Sequence, residues 1–290
     1  MRSSSVLLAV AAALIQQTTA PRPVSPALQA ILEEFSVPFE PFHFAGNVYY
    51  VGTKELGSFL IVTPAGNILL DSGMEQTVPL IRASVEKLGF GFSDIKILIN
   101  SHAHFDHAAG DREIRDATGA RVMIMAQDAD DIRQGHPDFP LGWKPCPVDR
   151  VLHDGDTVTL GSTTLTAHLT PGHTKGCTTW TTQVSDGGKS RHVVFLGGFT
   201  INEGVQLLNT PDYPNMASDF ARTFKVLEHL PCDIFGAQHS YFFDMQKKVA
   251  HLNDPGRNPF VDPAGYRKVV AEAERAYRKQ LAEERSKPRR

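Results

Sequence analysis

In the stretch NSHAHFDHAAG (residues 100–110), His102, His104, Asp106 and His107 place three imidazoles and a carboxylate within six consecutive positions. Neutral imidazole and carboxylate are the donors that catalytic zinc sites use, whereas magnesium or calcium would draw oxygen ligands throughout. At an extended strand end, residues two apart point to the same side. His102, His104 and Asp106 are therefore expected to converge while His107 points elsewhere, so that one short loop offers two groups of ligands. A pair of metal sites needs about three protein ligands each, with a position left open for water or substrate. Further donors must come from elsewhere in the chain.

Two other histidines have the right setting. His173 sits in TPGHTKGC, a Pro-Gly turn after the strand candidate TTLTAHL, and His239 ends CDIFGAQHS, a buried strand candidate. Such strand ends gather at one edge of a sheet protein, where loops carry function on a rigid frame. His43, His136, His153, His168, His192, His229 and His251 lack this setting and read as ordinary core or surface residues.

The elements that must hold these ligands are legible in outline. A short helix over 27–35 precedes a strand in NVYYVGT, and FLIVT and NILLDSG form a hairpin turning at Pro64-Ala65-Gly66. Val78, Ile81, Val85 and Leu88 share one face of a helix over 77–88. IKILIN is a β-branched run of buried-strand type, and the histidine cluster begins where it stops. After a helix over 111–117 and the strand RVMIM, the breakers between Gly135 and Pro147 forbid regular structure. Phe139, Leu141 and Trp143 in that loop could cover an apolar substrate group.

Strands return at 151–152, TVTL, TTLTAHLT, TTWTTQV and RHVVFLG, followed by a helix over 218–230 with Ser218 as its cap. Asp262 and Pro263 open a last helix with the apolar stripe Tyr266, Val269, Val270, Ala273, Tyr277 and Leu281. No linker interrupts residues 40–290, and residues 21–290 read as one domain of packed sheets with helices outside.

A net charge of −3 over 290 residues gives no reason to expect nucleic acid or an anionic membrane as partner. Residues 1–20 have the layout of a secretory signal peptide: Arg2, the apolar run Val6 to Ile15, then small residues to Ala20. The run is too short to span a bilayer, so export to the periplasm is expected. Cys146, Cys177 and Cys232 form no CxxC pair and cannot all pair within one chain, and they read best as small buried apolar residues.

The chain also resembles the metallo-β-lactamase superfamily, whose HxHxDH signature is matched by His102-Ala103-His104-Phe105-Asp106-His107, with LLDSG, TPGHTKGCTTW and His239 in the same order. That resemblance implies an α/β fold, a four-layer αββα sandwich with the metals at one edge. It implies two Zn2+ ions, the first on His102, His104 and His173. Many members carry a bridging aspartate after the strand that here reads HVVFLGGFT, among them glyoxalase II-like thioesterases, lactonases and ribonuclease Z-like nucleases; class B1 and B2 β-lactamases place a cysteine there. This chain has Gly197, Gly198 and Phe199 instead. Subclass B3 β-lactamases have neither, and the resemblance to them assigns the second zinc to Asp106, His107 and His239. The exported N-terminus and the segments PFHFAGNVYYVGT and VDRVLHDGD look like the same group.

Departures concern the substrate more than the metals. Where many of these enzymes have carboxylate-binding serines, only Thr200 and Asn202 stand, and the C-terminal helix has no cysteine to pair with Cys232. The expectation is a monomeric zinc β-lactamase in which a zinc-activated water attacks the carbonyl of a β-lactam and Asp106 orients that water. Zinc lowers the pKa of bound water to about 7, so no serine nucleophile is needed, and no SxxK/KTG set is present. The rival on the same site is another zinc hydrolase, such as a lactonase for acyl-homoserine lactones. An iron-dependent dioxygenase or a non-catalytic metal-binding protein would need fewer ligands than the chain supplies.

Overall fold

The computed structural model describes residues 25–135, 143–256 and 258–287. Helix α1 (Pro26–Phe35) leads into β1 (Phe42–Ala45), β2 (Val48–Tyr50), β3 (Phe59–Thr63), β4 (Gly66–Leu70), α2 (Val78–Lys87) and β5 (Ile95–Ile99). Then come α3 (Phe105–Ala108), α4 (Asp111–Thr118), β6 (Arg121–Met125), α5 (Ala129–Gln134) and β7 (Arg150–Leu152). The remainder is β8 (Thr157–Leu160), β9 (Thr163–Leu169), β10 (Thr178–Asp186), β11 (Lys189–Leu196), α6 (Met216–His229), β12 (Ile234–Ala237), α7 (Met245–Val249) and α8 (Pro263–Ser286). Strands β1 to β7 form one sheet in chain order, and the second runs β12-β11-β10-β9-β8.

Alternation along the strands explains the layers. In β4, β5 and β6, Ile68, Leu70, Ile97, Ile99, Met123 and Met125 join the core between the sheets, which also holds Trp180, Phe195 and Phe235 from the second sheet. Their neighbours Leu69, Leu98, Val122 and Ile124 face the other way and pack with Val78, Ile81, Val85 and Ile114 of α2 and α4. Both faces of this sheet are thus apolar, and helices must cover the outer one. On the far side, Phe220 and Phe224 of α6 stack with Tyr277 of α8, and Tyr266 meets Phe235. The result is the expected αββα sandwich.

The lead before Asn47 contains a strand that periodicity did not reveal, β1, because FHFA is too short to show alternation between its prolines. Helix α5 was likewise hidden in a polar run. Ser218 does not cap α6: the helix starts at Met216 after Asn215, and the Ser218 hydroxyl donates to the Asn215 carbonyl at 2.7 Å from inside the first turn. Asp262 does cap α8, accepting from the Gly265 N–H at 2.8 Å with Pro263 in the first turn. Asp262→Ala is expected to cost about 1 kcal/mol, read as a melting temperature lower by roughly 2–4 °C. An unchanged melting temperature would show that the cap contributes nothing. All three cysteines are free, Cys146 and Cys177 buried and Cys232 partly so. No helix among the described residues is long and apolar enough to cross a membrane.

Candidate metal centre

Topology brings the ligands to one edge. Strands β4, β5 and β6 are parallel, with Leu70 beside Ile99 and Ile99 beside Met123, so their C-terminal ends finish together. In the other sheet β9 and β11 are both antiparallel to β10 and thus run the same way, and β12 is parallel to β11. The segments leaving β5, β9 and β12 carry His102, His173 and His239. Two bonds lock the sheets across this edge: the Thr178 N–H donates to the Ser101 carbonyl at 2.7 Å and Trp180 Nε1 to the Asn100 carbonyl at 3.0 Å.

The donors fall into two groups, His102 with His104 and His173, and Asp106 with His107 and His239; within each, one ligand atom per residue lies within 4.8 Å of the others. His104 Nδ1 is 3.1 Å from His102 Nε2 and 3.2 Å from His173 Nε2. Donors held at 2.0–2.1 Å around a tetrahedral zinc would be about 3.3 Å apart. The outer nitrogens fix the rings: His173 Nδ1 is 2.8 Å from the Thr200 carbonyl, which can only accept, so the proton sits on Nδ1 and the Nε2 lone pair faces inward. His102 Nδ1 is 3.0 Å from Ser101 Oγ. Burial, reinforced for His102 by the other imidazoles, pushes the pKa values of His102 and His173 down, leaving neutral rings with lone pairs to offer. The donor set fits zinc.

In the second group, Asp106 Oδ2 is 3.2 Å from His107 Nε2 and 3.6 Å from His239 Nε2. Burial alone would raise the Asp106 carboxyl, but the charge and hydrogen bond of His107, with His239, hold it well below the ordinary carboxylate range. His239, desolvated and beside His107, is pushed down to about 3. The groups adjoin, with the His102 and His107 rings 4.5 Å apart.

The expected alternation fails at Asp106. The chain is extended only to His104, whose φ and ψ are −106° and 157°; α3 begins at Phe105, and its turn swings Asp106 away from His102 and His104 to lie with His107. His107, expected to point elsewhere, does place its ligand atom in the second group, although its ring lies beside that of His102.

Sequence reasoning missed the residues behind the ligands. Asp71, in the quoted LLDSG, has a positive φ of 62°, unusual for a residue with a side chain. Its carboxylate accepts the Ser101 N–H at 2.6 Å, and its other oxygen is 3.9 Å from His107 Nδ1. Asp128, in a polar run that gave no signal, is buried against the ligand loops. Tyr241, 58% exposed, stacks on His239 at 5.2 Å, and Phe35 of α1 lies 5.4 Å from the same ring. Thr200 borders the centre through its carbonyl, while Asn202 borders a groove with Gln280 and Glu284 of α8 and is not brought to the histidines by any observed contact. Trp143 is buried rather than covering the site, and Phe139 and Leu141 lie outside the described residues, as does the 1–20 segment. Gly198, where relatives are expected to carry a ligand, is packed on His173: a Cβ there would lie 2.4 Å from the ring.

Known proteins agree with this geometry. The family model of the metallo-beta-lactamase superfamily matches residues 58–186. Among solved structures, the FEZ-1 metallo-β-lactamase of Legionella gormanii is 46% identical, with 87% of this chain and 99% of that chain covered and a TM-score of 0.84. BJP-1, a subclass B3 metallo-β-lactamase of Bradyrhizobium japonicum, is 36% identical, covering 87% of this chain and 97% of that one at a TM-score of 0.83. Curated relatives match over shorter spans: the hydroxyacylglutathione hydrolase of Rhodospirillum rubrum is 32% identical over 129 residues, 44% of this chain and 40% of that protein. That of Hyphomonas neptunium is 37% identical over 94 residues, 32% and 30% of the two chains. The chain therefore spans less than half the length of these curated relatives.

Proposed function

The chain belongs to the metallo-β-lactamase superfamily, a hydrolase fold that implies zinc binding, and from that premise we propose that it is a zinc-dependent β-lactamase of the subclass B3 type. It opens the ring amide of penicillins, cephalosporins and carbapenems and so confers antibiotic resistance. The observation that carries this reading is the pairing of an all-histidine triad with Asp106–His107–His239 while a bare Gly198 packs on His173.

In this reading His102, His104 and His173 hold one zinc ion, and Asp106, His107 and His239 a second. Zinc bound there supplies Lewis acidity and lowers the pKa of water to about 7. The chain supplies the rest. The Thr200 carbonyl and Ser101 hold the His173 and His102 rings in place. Asp106, ionised between His107 and His239, orients the attacking water. As the carbonyl C–N bond breaks, the ring nitrogen takes up a proton. Of the two residues expected to meet the substrate carboxylate, Thr200 adjoins the triad, whereas Asn202 borders the groove along α8. The enzyme acts as a monomer, exported to the periplasm by residues 1–20.

A second reading, a thioesterase or lactonase on the same centre, is favoured by the matches to hydroxyacylglutathione hydrolases. Assay of the zinc-loaded protein on a carbapenem, an S-acylglutathione and an acyl-homoserine lactone separates the two. The carbapenem should be the fastest substrate, its hydrolysis lost with a chelator and regained with zinc. Faster thioester or lactone cleavage, or chelator-resistant activity, rejects the β-lactamase assignment.

A further inference from the structure

We propose that Asp128 is a positioning residue for the first triad, tying the loop between His102 and His104 to the loop after His173 and so setting the gap that a zinc ion fills. This rests on reading His102, His104 and His173 as a zinc site.

Asp128 follows β6 and is 1% exposed. Its Oδ2 accepts the N–H of Ala103, the residue between two of the histidines, at 3.0 Å. The same oxygen accepts the Thr174 hydroxyl at 2.7 Å, and Oδ1 accepts the Gly176 N–H at 2.6 Å. Thr174 and Gly176 stand one and three residues beyond His173. One carboxylate thus grips both segments that must converge, and charge-assisted bonds of this length are the strong ones. Among the described residues no lysine or arginine pairs with it, so these three donors are the partners that offset its burial.

Gly176 has the complementary shape. Its backbone is not in the left-handed region, yet a Cβ there would lie 2.5 Å from Asp128 Cγ and 2.6 Å from Oδ1. Glycine is required because the carboxylate comes that close. The position therefore offers a second way to disturb the clamp without touching Asp128 or any histidine.

Asp128→Asn keeps the shape but turns one acceptor oxygen into an N–H donor facing a backbone N–H, so either the Ala103 or the Gly176 tether is lost. Gly176→Ala pushes the carboxylate away. Thr174→Val removes only the hydroxyl bond and leaves both backbone tethers. Zinc affinity is to be measured by competition with a chromophoric chelator, geometry by the visible spectrum of the Co2+-substituted protein, and the fold by thermal unfolding of the metal-free form. Asp128→Asn and Gly176→Ala should raise the zinc dissociation constant about 10- to 100-fold and shift the Co2+ bands, with a smaller change for Thr174→Val. A merely structural Asp128 would lower the melting temperature and leave affinity and spectrum as in the wild type, which overturns the proposal. If Asp128→Asn does not fold, Gly176→Ala carries the test alone. A wild-type chain that binds no zinc overturns the underlying site reading as well, whereas tight binding by wild type and variants alike overturns only the role of Asp128.

Discussion

Asp106→Ala should lower turnover about 10²- to 10⁴-fold while the chain still folds. The carboxylate is the sole acidic member of the two ligand groups and touches both histidines of its own group. In the proposed centre its loss removes one ligand of the second ion and the group that orients the attacking water. Folding is spared for an electrostatic reason. Burial disfavours a charge on His107, and Asp106 with Asp71 raises its pKa; without Asp106 the ring is drawn back toward its neutral form while still facing Asp71. Turnover, zinc content per chain and melting temperature measured together test this. Wild-type turnover in the variant would remove the carboxylate from the reaction, and a collapsed melting temperature would make it structural.

How much of this was legible beforehand follows from where the signals lie. The strand runs FLIVT, IKILI and RVMIM announce themselves because both faces of their sheet are buried, which leaves continuous apolar sequence. The candidate ligands were legible because imidazoles crowded at strand ends have few other uses, and the structure brings His102, His104, His173, Asp106, His107 and His239 into two adjoining groups. Their partition was not legible from spacing. Alternation by two assigns Asp106 to the wrong group, since a helix starting at Phe105 replaces the strand period within one residue. The supports were illegible for a related reason: Asp71, Asp128 and Ser101 act through backbone N–H groups and carbonyls of residues far away in sequence, as in the 30-residue separation of Asp71 and Ser101.

The two kinds of relatives are reconciled by what each match covers. The curated hydrolases match at most half of this chain, whereas the β-lactamase structures cover about nine-tenths of it. Thr200, whose carbonyl meets His173, and Tyr241 beside His239 lie beyond the region 58–186 matched by the family model. The family-model span holds His102 to His107 and His173, five of the six candidate ligands, and is silent on what enters the centre. Substrate assignment must therefore be argued from the later part, where Gly198 stands.

Gly198→Ala is expected to lower activity about 10²-fold or more with loss of zinc from the first group, and Gly198→Asp to do the same rather than add a bridging ligand. A Cβ at this position would lie 2.4 Å from His173 Cδ2 and 2.5 Å from Cγ, distances no side chain tolerates. The ring has little freedom to retreat. Its Nδ1 is held at 2.8 Å by the Thr200 carbonyl, two residues along the same segment, so displacing the ring breaks the bond that turns Nε2 toward the metal. The missing aspartate is thus the counterpart of a histidine packed flat on the backbone. Zinc stoichiometry and carbapenem turnover of the two variants decide the matter. If Gly198→Asp binds two zinc ions and keeps its activity, the ring can move, and bare glycine no longer separates this centre from the thioesterase and lactonase branches.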